Sequence, residues 1–272
     1  PSLMKPLLQA HEEGALNLAV IHVDSSGQMS FGSVADADVA FIVSAHNETG
    51  ILTDWSSLLP LIKPDTILVT DASQSLARIG APPARVDAIV ASAHKLGGIA
   101  GVGVLLLRRN AKKLPAPWSG GGQEGGLRPG TESLALIAAF GAAAELIERS
   151  REQHRDLLEL RDSIEKKFLA EVAHAQVLGA FVERLPNTSA ITLSNVDGEA
   201  LRMAIDLEGI CVGFGSACSG LAPEPSPALL ALGLTANQAR ATIRLSFYPG
   251  IDRPRLDESL QSLIRIALLI AR

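Results

Sequence analysis

Apolar positions along the chain fall into two regimes. The first consists of short, nearly continuous apolar runs that each end in a burst of polar residues: DVAFIVSAHNETG (Asp38–Gly50), TILVTDASQS (Thr66–Ser75) and VDAIVASAHKLGG (Val86–Gly98). Runs of this length, rich in Val and Ile and without alternation, predict buried strands of a parallel sheet joined by crossovers. A fourth run, VGVLLLRR (Val102–Arg109), follows after too few residues for a parallel crossover, so it predicts an antiparallel neighbour. The second regime starts near Glu132, where Ala, Leu and Glu recur at helical spacing as far as about His174. It predicts one or two long helices, broken near Ser150. Beyond them, SAITLSNVDG, GICVGFGSACSG and ATIRLSF predict strands, PSPALLALG a short helix, and ESLQSLIRIALLIAR an amphipathic helix that closes over the sheet.

Between the regimes lies PAPWSGGGQEGGLRPGTES (Pro115–Ser133), too rich in glycine for regular structure and therefore a loop. The pattern divides the chain into an α/β part over 1–131 with a mostly parallel sheet, connecting helices over 132–178, and a smaller α+β part over 179–272.

Composition narrows the function classes. With 272 residues, 47% hydrophobic but only 4% aromatic, the core must be built from Ala, Leu, Val and Ile. A formal charge of -5 argues against direct DNA binding or an anionic membrane surface. Two cysteines, Cys211 and Cys218, make no disulfide framework, which suits a reducing cytoplasm. No uninterrupted apolar run reaches the length of a membrane span.

In open α/β sheets ligands bind beyond the carboxyl ends of the strands. Asn47, Asp71, Gln74, Ser92, His94 and Lys95 all fall there, which favours a site over coincidence. A strand-end lysine with an aspartate on a neighbouring strand suggests pyridoxal 5'-phosphate: the lysine forms a Schiff base, and the carboxylate keeps the pyridine nitrogen protonated. Ser92 and His94 could then donate to the phosphate and Gln74 to the ring's phenolic oxygen. Taken alone, Asp71 is more often a helix N-cap than a cofactor ligand. Ser92-Ala-His-Lys95 also fits the S-x-x-K pattern of penicillin-binding proteins, but that serine opens a helix and no S-D-N or K-T-G follows here. Cys218 stands among small residues in GSACSG, whereas Cys211 in GICVGF reads as core. Arg244, inside ATIRLSF, is either a structural ion pair or a carboxylate clamp.

Together these segments resemble the cysteine desulfurases, pyridoxal-phosphate enzymes of the class V aminotransferase superfamily. H-N-E-T-G at 46–50, D-A-S-Q at 71–74, S-A-H-K at 92–95, G-G-G-Q-E…R-P-G-T at 120–131, L-P-N-T at 185–188, G-S-A-C at 215–218 and I-R-L-S around Arg244 recur in family order. The resemblance implies the fold of type I pyridoxal-phosphate transferases, with an N-terminally incomplete large domain, because the family's D-N-A-A-T segment and ring-stacking histidine have no counterpart here. It implies that Lys95 holds the cofactor, that Asp71 faces the pyridine nitrogen and Gln74 the ring oxygen, and that Ser92 and His94 contact the phosphate. Thr131 would reach the phosphate of the partner in a homodimer, Asn47 and Arg244 would hold the substrate carboxylate, and Cys218 would accept sulfur from L-cysteine. The spacing from Cys218 to Pro225-Ser226 is similar to the long-loop branch, which serves iron–sulfur scaffold proteins and tRNA thiolation. His46 stands where that family commonly has asparagine, and G-I-A-G (98–101) where it has G-P-K-G. Other readings are a selenocysteine lyase, an aminotransferase-like relative, or a catalytically silent homologue kept as a binding domain.

Overall fold

The computed structural model describes residues 3–30, 36–109, 118–215 and 224–271. A helix, α1 (Met4–Glu12), leads into a hairpin of β1 (His22–Val23) and β2 (Met29–Ser30). Its turn is held by Asp24, whose Oδ1 accepts the main-chain N–H groups of Ser26 and Gln28 at 2.8 and 3.1 Å.

The first sheet contains β3 (Val39–Val43), β4 (Ile67–Asp71), β5 (Ala88–Ser92) and β6 (Gly103–Leu107), in that spatial order. The first three strands are parallel and β6 is antiparallel to β5, as the run lengths predict. Register sets the function of this sheet. Val43 pairs with Asp71 and Asp71 with Val90, so the three parallel strands end nearly level. The polar residues that follow each strand therefore meet along one edge.

A short helix, α2 (Trp55–Leu58), is capped by Asp54, which accepts from the N–H groups of Ser56 and Ser57. Leu58 and Ile62 pack with Ala40, Ile42, Leu68 and Val86 into a core on one face of the sheet. Leu58 and Leu68 are fully buried, each contributing on the order of 1.5–3 kcal/mol. The other face departs from the expectation of strands covered on both sides. Val39, Phe41 and Val43 alternate with the buried residues of β3 and remain 41–44% exposed, and Leu105, Leu106 and Leu107 of β6 are also exposed. A continuous apolar run fits coverage on both faces, but the described residues supply a layer to only one.

The connector forms three helices: α3 (Leu134–Glu145), α4 (Ile147–Arg155) and α5 (Leu157–Glu171). The breaks fall at Leu146 and Asp156 rather than near Ser150. Ser150 sits inside α4, with its hydroxyl 3.3 Å from His154 Nδ1 one turn on, a spacing that suits helix continuation.

The second sheet contains β7 (Ala175–Val177), β8 (Thr188–Leu193), β9 (Gly213–Phe214) and β10 (Thr242–Ser246), in the spatial order β7-β8-β10-β9 and antiparallel throughout. Around it stand α6 (Gly198–Leu207), α7 (Pro227–Ala231), α8 (Ala236–Arg240) and the closing helix α9 (Arg253–Ile270). Phe168 of α5, Leu201 and Ile205 of α6, and Leu263 and Ile264 of α9 close over Ile191 and Ile243. The strand expected over GICVGFGSACSG is confined to β9 among the described residues. Cys211 is exposed, not core as its apolar neighbours suggest, because it lies just before β9 rather than on a covered strand. Among the described residues no helix is long and apolar enough to cross a membrane.

Candidate active site

The level strand ends gather most of the predicted site residues. Asp71 closes β4, and its Oδ1 accepts the N–H of Ser73 at 2.8 Å. The carboxylate thus caps a turn over 73–79 rather than the helix that the N-cap reading expects, and the residue stays exposed at the edge. Gln74 is half-buried in that turn. Ser92 ends β5 and is half-buried, and Ala93–Lys95 then wind into a single tight helical turn. Ala93 is fully buried, and its carbonyl receives the N–H groups of Leu96 and Gly98, both at 2.9 Å. This anchoring turns His94 and Lys95 outward, so both are exposed. The Lys95 ammonium is nevertheless held below its ordinary pKa by desolvation and then by the positive charges of Arg244 and Arg78.

The turn after β3 is built by its own sequence. Gly50 N–H donates to the His46 carbonyl and His46 N–H to the Ile51 carbonyl, both at 2.8 Å. Gly50 has φ +75°, and a Cβ there would lie 3.0 Å from Thr188 Cβ, so glycine is required twice over. Thr49 N–H donates to His46 Nδ1 at 3.3 Å, and Thr49 Oγ1 is 3.1 Å from the same nitrogen. Nδ1 is therefore an acceptor, and the neutral ring carries its proton on Nε2. Burial lowers the pKa of this imidazole, Glu48 opposes that, and Arg244 adds to it.

The same turn is stitched to the segment that carries L-P-N-T. Leu52 N–H donates to the Glu183 carbonyl at 2.9 Å and Leu185 N–H to the Gly50 carbonyl at 2.8 Å. Asn187 in turn exchanges hydrogen bonds with Phe247, just past β10. These links bring Arg244 of β10 against the first sheet, where its Nη1 donates to the Asn47 carbonyl at 3.0 Å. Its Nε is buried without a hydrogen-bond partner. Space for the guanidinium comes from Gly213 on the paired strand, where a Cβ would stand 2.9 Å from Arg244 Nε.

Asn47, Asp71, Gln74, Ser92, His94, Lys95 and Arg244 thus share one edge. Thr131 is exposed on its loop, and no hydrogen bond joins it to this group among the described residues. Cys218 lies outside the described residues. Sequence reasoning missed Arg78, Gly213 and the burial of His46. The signals were present: a lone arginine in the small-residue turn DASQSLARIG, and a glycine on the strand beside Arg244. A cavity of about 770 Å³ between residues 193–199 and 235–240 involves none of the predicted residues. A second, of about 360 Å³, touches the site only through His46 and its turn. The candidate site is an open edge.

This edge suits an anionic aldehyde cofactor and a carboxylate substrate. It offers an amine biased toward its neutral form, an exposed carboxylate, and a buried Arg244 Nε–H awaiting an acceptor. Pyridoxal phosphate fits that donor set. A strand-end lysine on a mostly parallel sheet, faced by an arginine from a second sheet, defines the class: over residues 1–257 the chain matches the Aminotransferase class-V family, and it belongs to that family. Within it, the chain is 34% identical over 251 residues to a cysteine desulfurase of Cereibacter sphaeroides, covering 89% of this chain and 64% of that protein. It is 34% identical to cysteine desulfurase NifS of Azotobacter vinelandii, covering 89% and 61%. The chain therefore spans somewhat less than two thirds of these relatives' length. Among solved structures it is similar to a NifS-like protein of Rickettsia africae ESF-5, with a TM-score of 0.79 and 27% identity over 96% of this chain and 72% of that one.

Proposed function

We propose that this protein acts as a pyridoxal-phosphate-dependent cysteine desulfurase, converting L-cysteine to L-alanine and passing the sulfur to Cys218 as a persulfide. The observation that carries the reading is the meeting of Arg244 and Asn47 on the edge that presents Lys95. The similarity to curated cysteine desulfurases supports the choice of substrate. When bound, the cofactor supplies the electron sink for chemistry at the substrate α-carbon.

In this reading Lys95 holds the cofactor covalently and moves the substrate α-proton, and Asp71 faces the pyridine nitrogen. Gln74 reaches the ring oxygen, and Ser92 and His94 take the phosphate. Asn47 would serve both cofactor and substrate, while Arg244 would clamp the substrate carboxylate through its fork of N–H groups. The Cys218 thiolate attacks the substrate sulfur. An S–S bond forms and the C–S bond breaks; its electron pair stays on the substrate β-carbon, which takes a proton to become the methyl of alanine. A homodimer would let Thr131, exposed on its loop, serve the phosphate of a second copy. The division at 131 and 178, a cytoplasmic location and an iron–sulfur scaffold or other sulfur acceptor complete the proposal.

The test is borohydride fixation of added pyridoxal phosphate followed by peptide mass analysis. Fixation is expected on Lys95 and lost in Lys95→Ala; fixation elsewhere defeats the reading. Cys218→Ala should abolish sulfide release from cysteine, whereas retained release would favour a selenocysteine lyase or aminotransferase-like activity.

A further inference from the structure

Antiparallel pairing of β8 with β10 sets Thr188 opposite Ser246 and Ala190 opposite Arg244. One step beyond the ladder Asn187 faces Phe247, whose N–H donates to the Asn187 carbonyl at 2.8 Å. Residues paired in this way normally exchange two main-chain bonds. Here the return bond comes from the side chain: Asn187 Nδ2 donates to the Phe247 carbonyl at 3.1 Å. Pro186, just before it, has no N–H with which the ladder could continue. Asn187 and Phe247 are both buried, so water does not stand in for this bond. Thr188 Oγ1 donates to Asn187 Oδ1 at 3.4 Å, which orients the amide from its other end.

The same segment grips the β3 turn. Leu185 N–H donates to the Gly50 carbonyl, and the Leu185 carbonyl accepts from Nη1 of the buried Arg161 on α5, both at 2.8 Å. Hydrogen bonds and short stretches of chain thus form a closed ring. It runs from Arg244 to the Asn47 carbonyl, along the turn to Gly50 and across to Leu185. From there it passes to Asn187, over to Phe247 and back along β10 to Arg244. The Asn187–Phe247 link carries two bonds, and the side-chain one can be removed without touching the backbone.

Arg244 depends on this ring for its direction. Its neighbours across the sheet are Ala190 and Gly213, neither of which has a side chain long enough to steer a guanidinium. Among the described residues no carboxylate lies within ion-pair distance of it, so the Asn47 carbonyl is what holds it, at 3.0 Å. Where the guanidinium reaches is therefore set by where β10 ends relative to the β3 turn. From this ring we infer that Asn187 is a positioning residue: its side-chain amide fixes the end of β10 where Arg244 meets the Asn47 turn. The inference deepens the desulfurase reading and rests on it, because there Arg244 clamps the substrate carboxylate. Asparagine suits the post, since an ionised aspartate of the same shape has no donor to offer. A buried carbonyl deprived of its donor is costly, and the strand end shifts to find another.

Two readouts on the full chain test this, the first without cofactor. The Arg244 Nε–H is buried, and its NMR signal in chain labelled with ¹⁵N-arginine is assigned by its loss in Arg244→Gln. Its exchange with water should quicken about ten-fold in Asn187→Ala. Leu260→Val trims the core under α9 without touching the ring and should leave that exchange unmoved. With pyridoxal phosphate bound, Asn187→Ala should raise KM for L-cysteine about five-fold and leave kcat within about two-fold. With Arg244→Gln already in place it should raise KM no further, because it acts through the arginine. Asn187→Ser, a smaller cut, should move both readouts the same way should Asn187→Ala not fold. Unmoved Nε–H exchange, or exchange quickened as much by Leu260→Val, overturns the inference, as does a KM rise that adds in full to that of Arg244→Gln. Failure of the underlying reading looks different: Nε–H exchange responds to Asn187→Ala, but L-cysteine is neither bound nor turned over.

Discussion

Arg244 Nη1 donates to the main-chain carbonyl of Asn47 across 3.0 Å of space and 197 positions of sequence. This bond joins the second sheet to the turn that ends β3, and it leaves the rest of the guanidinium, including the buried Nε–H, for another acceptor. Arg244→Gln should therefore separate anchoring from folding. A charge-assisted hydrogen bond is worth roughly 1.5–3 kcal/mol. Under the proposed desulfurase reading, kcat/KM for L-cysteine should fall about 10- to 100-fold, mostly through KM, with the melting temperature little changed. Unchanged KM would remove Arg244 from the carboxylate site.

Gly213 makes that geometry possible. A Cβ at this position would come within 2.9 Å of Arg244 Nε and Nη2, and the far end of an arginine can move aside. Gly213→Ala should accordingly cost about 1 kcal/mol of stability, at the low end for overpacking. It should raise the KM for cysteine as Arg244 swings away from Asn47. Paired measurements of thermal unfolding and steady-state kinetics check both halves, and a Gly213→Ala enzyme with unaltered KM would show that the guanidinium needs no such clearance.

The parts of this site that were legible in the sequence are those set by neighbours along the chain. Asp71, Ser92 and Lys95 follow apolar runs, and strand length with polar termination is enough to place them on one edge. The antiparallel turn of β6 follows from a connection too short for anything else. What escaped depends on contacts distant in sequence. The Arg244–Asn47 bond needs the 183–188 segment to dock on the Gly50 turn, and no local pattern encodes that docking. The uncovered face of β3 escaped for the same reason: Val39, Phe41 and Val43 look as apolar as their buried neighbours. The helix breaks at Leu146 and Asp156 carry no Gly or Pro to announce them.

The docking itself rests on a buried ion pair. Arg184 Nη1 and Nη2 donate to the two carboxylate oxygens of Glu165 at 2.6 and 2.9 Å, with side chains only 4% and 10% exposed. Arg184 is also bridged to Ile51, so the pair sits beneath the turn that presents Asn47. Removing one partner leaves a buried charge uncompensated, which costs about 3–5 kcal/mol. Glu165→Ala should lower the denaturation free energy by that amount in chemical unfolding. Glu148→Ala, breaking the exposed pair with Arg151, should cost less than about 0.5 kcal/mol. Comparable losses in the two variants would mean that the Glu165 pair is no anchor.

His46 makes this turn sensitive to pH. Burial is the main reason its imidazole titrates below the ordinary 6.5, with the Arg244 charge acting in the same sense and Glu48 against it. A depressed folded-state pKa means that the unfolded chain binds the proton first. The contribution to stability is complete above about 6.5 and declines as the pH falls from there toward the folded-state value. Replacement by the asparagine common in the resembling family removes the titrating group while keeping a polar side chain that can accept from Thr49 N–H. Urea unfolding at pH 8 and pH 5 should show the wild-type chain losing more stability on acidification than His46→Asn. Equal losses would mean that the His46 ring is free to take its proton in the folded state, contrary to its desolvation and the Thr49 hydrogen bond.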